Sequence, residues 1–188
     1  MLNRLTSIIA FVLVTLAVSP ARADEYSNTV AIFQNAGESG KFFKTAYGYA
    51  VFPTIVKGAF IVGGAHGDGR VYAKGKYVGN SSMTQATVGL QIGGAGYSEI
   101  VFFQDERAFK EFTSGNFEFG AEASAVAITA GANAKANTAG SSAGASATKN
   151  KAATAGGYHK GMATFTVAKG GLMYEASIGG QKFNYKHK

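Results

Sequence analysis

Ala50-Val51-Phe52-Pro53-Thr54-Ile55-Val56-Lys57-Gly58-Ala59-Phe60-Ile61-Val62-Gly63-Gly64 has the texture of sheet: β-branched and aromatic residues punctuated by glycine. Working outward, residues 59–64 and 70–74 read as two strands. Ala65-His66-Gly67-Asp68-Gly69 would join them, because Asp-Gly supplies the backbone freedom that a tight hairpin needs. Residues 86–94 and 98–104 form a second pair about Ala95-Gly96-Tyr97. Near the C-terminus, residues 163–168, 172–178 and 182–185 alternate with Lys169-Gly170-Gly171 and Gly179-Gly180, which predicts a closing meander. The expected fold class is α+β: mainly antiparallel β, a small twisted barrel or sandwich, with one or two helices packed against it.

The helices come from two places. Residues 24–36 carry Val30 and Phe33 three apart, and Gly37 and Gly40 end the run. Asp105 can cap a second helix reaching about residue 113, with Phe109 and Phe112 as its apolar stripe. Alanine at 121, 123, 125 and 127 has the period of a strand, with Val126 and Ile128 on the opposite face. The pattern then decays into residues 131–157, which contain only Ala, Gly, Ser, Thr, Asn and Lys. Such a segment buries too little apolar surface to offset its ordering entropy, so it reads as a flexible or weakly paired insertion.

Arg4 followed by the apolar run 8–18 and then Ala21-Arg22-Ala23 has the pattern of a cleaved signal peptide. The run is about half of the roughly 20 apolar residues that a spanning helix requires. The expected organisation is a signal peptide at 1–23 and one domain at 24–188 containing the alanine-rich insertion. Sixteen basic against eleven acidic residues remain after residue 23, a formal charge of +5. That balance favours an acidic partner, and outside the inner membrane anionic lipid is more accessible than nucleic acid.

Catalytic constellations are missing from the sequence. There is no cysteine, and His66, His159 and His187 share no ligand spacing. The carboxylates are scattered singly except for Asp105-Glu106 at a helix start. Neither a nucleophile elbow nor a phosphate-binding loop is present: Arg70 stands where the loop pattern ending at Lys76 requires its first glycine. The expectation is a protein without catalytic residues, metal, cofactor or small-molecule substrate.

Four blocks, in order, carry a resemblance to a known family. Residues 47–64 followed by Gly67-Asp68-Gly69 form the first, Val88-Gly89-Leu90-Gln91-Ile92-Gly93-Gly94 the second, residues 117–131 the third, and Ala168-Lys169-Gly170-Gly171-Leu172 with Ser177-Ile178-Gly179-Gly180 the last. Together they resemble the SYLF domain, also called the Ysc84-type actin-binding domain. The resemblance implies a lipid-binding module whose eukaryotic relatives bind phosphoinositides, and in some cases actin, while bacterial relatives are exported. The alanine-rich insertion and the ending Tyr185-Lys186-His187-Lys188 depart from the family pattern.

The resulting expectation is a periplasmic or secreted, peripheral protein on anionic phospholipid membranes. The candidate lipid-binding residues are Lys57, Lys74, Lys76, Arg70, Lys41, Lys44, Phe42 and Phe43, the lysines meeting head groups and the phenylalanines entering the interface. Phe42 and Phe43 also fit a core role, tying the first helix to the sheet. Two alternatives stand beside this reading: a small outer-membrane β-barrel, or a structural or adhesive surface protein acting through its Ala/Gly/Ser segment.

Overall fold

The computed structural model describes residues 24–59, 62–88, 95–128, 157–169 and 178–188. The expected signal peptide, the expected strand at 172–178 and nearly all of the alanine-rich insertion lie outside these residues.

Asp24 caps α1 (Glu25–Asn35), its carboxylate accepting from the Ser27 N–H at 2.8 Å. A single turn, α2 (Gly37–Gly40), and a 3-10 turn (Lys41–Lys44) follow. The strands are β1 (Gly48–Ala59), β2 (Val62–Ala73), β3 (Lys76–Val88) and β4 (Ala95–Phe103). Next come α3 (Glu106–Phe112), β5 (Phe117–Glu118), β6 (Val126–Ile128), β7 (Met162–Lys169) and β8 (Gln181–His187). They form one sheet in the order β5-β8-β3-β2-β1-β4-β7-β6, curled into a half-barrel. Every pairing is antiparallel except β6 with β7.

Two local devices produce the curl. Pro53 has no N–H for a ladder, and β1 sits centrally in the sheet; the ladders with both neighbours slip beside it, between Val51 and Thr54 on one side and Phe52 and Ile55 on the other. Ser98 donates its hydroxyl to the Pro53 carbonyl at 2.6 Å, satisfying an acceptor the bulge displaces. On β2 the second device is absence of side chain. A Cβ at Gly69 would lie 2.5 Å from the Phe52 ring, and one at Gly67 2.6 Å from the Ile55 side chain. Glycine there lets β1's large residues fill the concave interior.

Asp68-Gly69 is therefore mid-strand, and the hairpin turn expected at residues 65–69 is instead at Lys74-Gly75, with φ of 50° and 75°. Of the expected C-terminal meander, residues 172–177 lie outside the described residues; its first and last strands do not adjoin, β7 pairing with β4 and β8 with β3 on opposite sides of the sheet. Residues 117–128 bridge those two sides, since β5 pairs with β8 and β6 with β7, and the Phe119 N–H donates to the Gln181 carbonyl at 3.0 Å. Of the alanine-alternating run, Val126–Ile128 is strand among the described residues.

Both faces of the sheet are covered, which is why β4 reads as the apolar run Ile100-Val101-Phe102-Phe103. The concave face packs Phe52, Ile55, Met83, Phe103 and Phe183 against Ala108 and Phe112 of α3. The convex face packs Val51, Ile100, Phe102 and Phe165 against Phe33 of α1 and Phe42 of the 3-10 turn. Asp105 fixes α3 by accepting from the Ala108 N–H at 2.9 Å. Asp105→Ala is expected to cost about 1 kcal/mol, read as a lower urea midpoint with an unchanged slope.

Candidate lipid-binding site

The eight residues predicted as lipid contacts separate into three places. Lys74 lies in the β2–β3 turn and Lys76 opens β3; the Lys74 N–H donates to the Tyr47 carbonyl at 2.9 Å and its ammonium lies 5.2 Å from the Tyr47 ring centre. Lys44 closes the 3-10 turn three residues before Tyr47, so Lys44, Lys74 and Lys76 gather at one end of the half-barrel. Lys41 opens the same turn, its ammonium 5.4 Å from the Phe42 ring centre. All four lysines are exposed, and among the described residues none has a carboxylate within ion-pairing distance.

Lys57 lies at the other end of β1, paired in register with Ala65 and Ala95, whereas Gly48 of the same strand pairs with Ala73 beside the lysine end. Nine residues of strand separate the ends by about 30 Å. Lys57 is half-buried, its ammonium 5.7 Å from the Tyr97 ring centre. Arg70 is on the convex face between these ends, ion-paired with Asp24 and stacked 4.0 Å from the Tyr26 ring centre. It fastens α1 to the sheet, and its charge is largely neutralised there.

Phe42 is 4 % exposed and contacts Phe102, Phe165 and Tyr158, so its ring belongs to the convex core. Phe43 is half-buried and begins an aromatic row that runs across three strands: Phe43 to Tyr49 at 5.3 Å, Tyr49 to Tyr72 at 4.9 Å, Tyr72 to Tyr77 at 5.9 Å. All four rings are half-buried. Burial pushes the Tyr49 hydroxyl up to about 12, so it stays neutral. The row joins the lysine end to the sheet.

Lys188 also belongs here, and sequence reading missed it. Its N–H donates to the Val78 carbonyl at 3.1 Å and its ammonium lies 5.3 Å from the Tyr77 ring centre. Only the β3–β8 register brings it there, and no local pattern announces that register. Nearby Glu106 is already neutralised by Lys110 at 2.8 Å; that hydrogen bond, then the Lys110 charge and more weakly Lys74, hold its carboxyl below the ordinary range. The end therefore presents Lys44, Lys74, Lys76 and Lys188 as net positive charge beside half-exposed rings. Such a pairing is suited to an interface that is anionic outside and apolar beneath.

The described residues thus form a β-rich half-barrel with an aromatic and basic end. A family described as Las17-binding protein actin regulator, Ysc84, matches residues 84–187, more than half of the chain, and the chain belongs to that family. The match spans the blocks at 88–94, 117–131 and 168–180; the block at 47–69 precedes it. The chain is also 27% identical over 158 residues to Beta cell expansion factor A of Aeromonas veronii, an alignment covering 82% of this chain and 51% of that protein. The chain thus spans about half the length of this relative. Family membership supports lipid binding as a general role.

Proposed function

We propose that this chain is an exported, non-enzymatic protein that binds anionic phospholipid surfaces peripherally through the end bearing Lys44, Lys74, Lys76 and Lys188. The observation carrying the reading is that these lysines, unlike most other cations of the described residues, have no carboxylate partner while the rings of Phe43, Tyr49, Tyr72 and Tyr77 adjoin them. Ion-paired cations have little charge left to offer a head group; unpaired ones retain it. The leader-like sequence at 1–23 supports a periplasmic or secreted location.

Each basic residue near an anionic surface contributes about 1 kcal/mol, so removing three weakens partition by roughly 100-fold. Flotation with vesicles containing anionic lipid, compared with vesicles of neutral lipid alone, checks this. Lys44→Ala/Lys74→Ala/Lys76→Ala is expected to stay at the bottom of the gradient, and Lys57→Ala, altered at the opposite end, to float like the parent. Equal flotation of the triple variant and the parent would sink the assignment. Loss of binding in Lys57→Ala alone would move the site to the other end.

A further inference from the structure

The concave face contains a feature that head-group binding does not use. Glu99 of β4, Gln181 of β8 and Thr166 of β7 are each 0 % exposed, and Gln85 of β3 is 7 % exposed. The Gln181 amide donates to Glu99 Oε2 at 3.0 Å and to the Tyr97 hydroxyl at 3.2 Å. β8 and β4 are separated in the sheet by β3, β2 and β1, so this bond crosses the half-barrel interior. Glu99 stands directly opposite Thr166 in the β4–β7 ladder, and Gln181 directly opposite Gln85 in the β3–β8 ladder. Four neighbouring strands or cross-barrel partners thus bring four polar side chains into one buried group.

Within that group Glu99 Oε1, Gln181 Oε1, Gln85 Oε1 and Thr166 Oγ1 have no hydrogen-bond partner among the described residues. Buried acceptors are nearly always satisfied, and a set of four in one place requires an explanation. A proton on Glu99 could donate to only one of the other three oxygens. One water could donate to two. A cation can be shared by several such oxygens at once, and ladder pairing or a hydrogen bond links each of these residues to the next. We infer that Glu99, Gln181, Gln85 and Thr166 form an internal binding site for a monovalent alkali cation.

The donor set selects that class. It is all oxygen, which suits hard cations and not zinc or copper. It contains one carboxylate and three neutral oxygens, matching a single positive charge. Among the described residues no group of three His, Cys, Asp or Glu exists that would favour a multivalent metal. Neither the surface groove of about 370 Å³ nor the cavity of about 200 Å³ beside Phe117 and Phe119 is lined by these four residues. Among the described residues Lys57, whose ammonium lies over Tyr97, is the cation whose charge acts on Glu99. It competes with the ion for the carboxylate, so removing it favours occupancy.

The test is thermal unfolding of the protein at pH 8 in sodium, potassium or rubidium chloride, compared with N-methyl-D-glucamine chloride at equal ionic strength. One alkali ion is expected to raise the midpoint saturably by several degrees. Glu99→Gln should abolish the rise, Thr166→Val should shift its half-saturation about tenfold upward, and Lys57→Met should shift it downward. Thallium-soaked crystals should show an anomalous peak between Glu99 and Gln181. Identical midpoints in all four salts, or an ion effect that persists in Glu99→Gln, would overturn the inference, as would a thallium-free interior. The crystal measurement on the parent protein decides the matter even if a variant fails to fold.

Discussion

Between pH 5 and pH 8, in N-methyl-D-glucamine chloride so that no alkali ion pairs with the carboxylate, the protein is expected to lose about 3 kcal/mol of unfolding free energy. Glu99 causes the loss. Burial pushes its carboxyl up to about 7 against an ordinary value of 4.5, with the Gln181 hydrogen bond and the Lys57 charge pulling only partly back. The sign follows from proton counting. Between 4.5 and 7 the unfolded chain releases this proton and the folded chain keeps it, so raising the pH favours unfolding throughout that window. Above about 7 both states are ionised and the loss is complete; below about 4.5 both are protonated and Glu99 contributes no slope.

The opposite limb belongs to other groups. Asp24, Glu25, Glu106 and Glu122 are held below their ordinary values, chiefly by hydrogen bonds from Ser27, from Thr54, from Lys110 and from backbone. Their stabilisation is present above the unfolded values and declines as pH falls through the lowered ones, so stability should peak near pH 5. These groups are exposed, and the acid limb should be shallow. Glu99→Gln keeps the shape and an acceptor for Gln181 but removes the titration. Urea unfolding should show that variant flat from pH 5 to 8 and more stable than the parent at pH 8. A parent profile equally flat over that range would show that Glu99 is not ionising in the interior.

The sheet was legible because strand chemistry is local: the β-branched and aromatic texture from Ala50 onward, the Asp105 cap and the Phe109 and Phe112 stripe all correspond to elements of the fold. Position within the sheet was less legible. Asp68-Gly69 has a turn signature, yet glycine serves there to clear Phe52, and the signature that mattered was Lys74-Gly75. The candidate site divided for the same reason. Lys74 and Lys76 are close in sequence and remain together, while Lys57 and Arg70 reach other regions through strand length and an ion pair with Asp24. In the sequence Glu99 reads as one of several single carboxylates, because its partner Gln181 is 82 residues away and only closure of the half-barrel brings them together.

Closure itself depends on Phe183, and Phe183→Ala is expected to cost 3 to 5 kcal/mol, about the usual range for deleting a buried phenylalanine. The ring is 1 % exposed and contacts four others: Phe112 at 4.9 Å, Phe52 at 5.5 Å, Phe119 at 5.5 Å and Phe117 at 6.0 Å. These come from α3, β1 and the 117–128 bridge, so one side chain joins the helix, the sheet and the segment spanning its two sides. β5 pairs with β8 through Phe117 with Phe183 and Glu118 with Lys182, its Phe117 ring also packs on Phe112 at 5.5 Å, and an exposed ion pair such as Lys182 with Glu118 at 3.5 Å contributes little. Without the Phe183 ring the bridge loses its main apolar anchor, and the surrounding aromatics are too constrained to collapse fully into the space. The cost is comparable with the whole stability of a domain this size, roughly 5 to 15 kcal/mol. Urea unfolding should therefore show a large fall in midpoint, and native-state hydrogen exchange should show amides of residues 117–123 losing protection before those of β1 and β4. Phe183→Leu, which leaves less empty space, should cost less than half as much. Uniform loss of protection across the sheet in Phe183→Ala would mean that the bridge and the sheet unfold as one cooperative unit, and that this ring does not separately control closure.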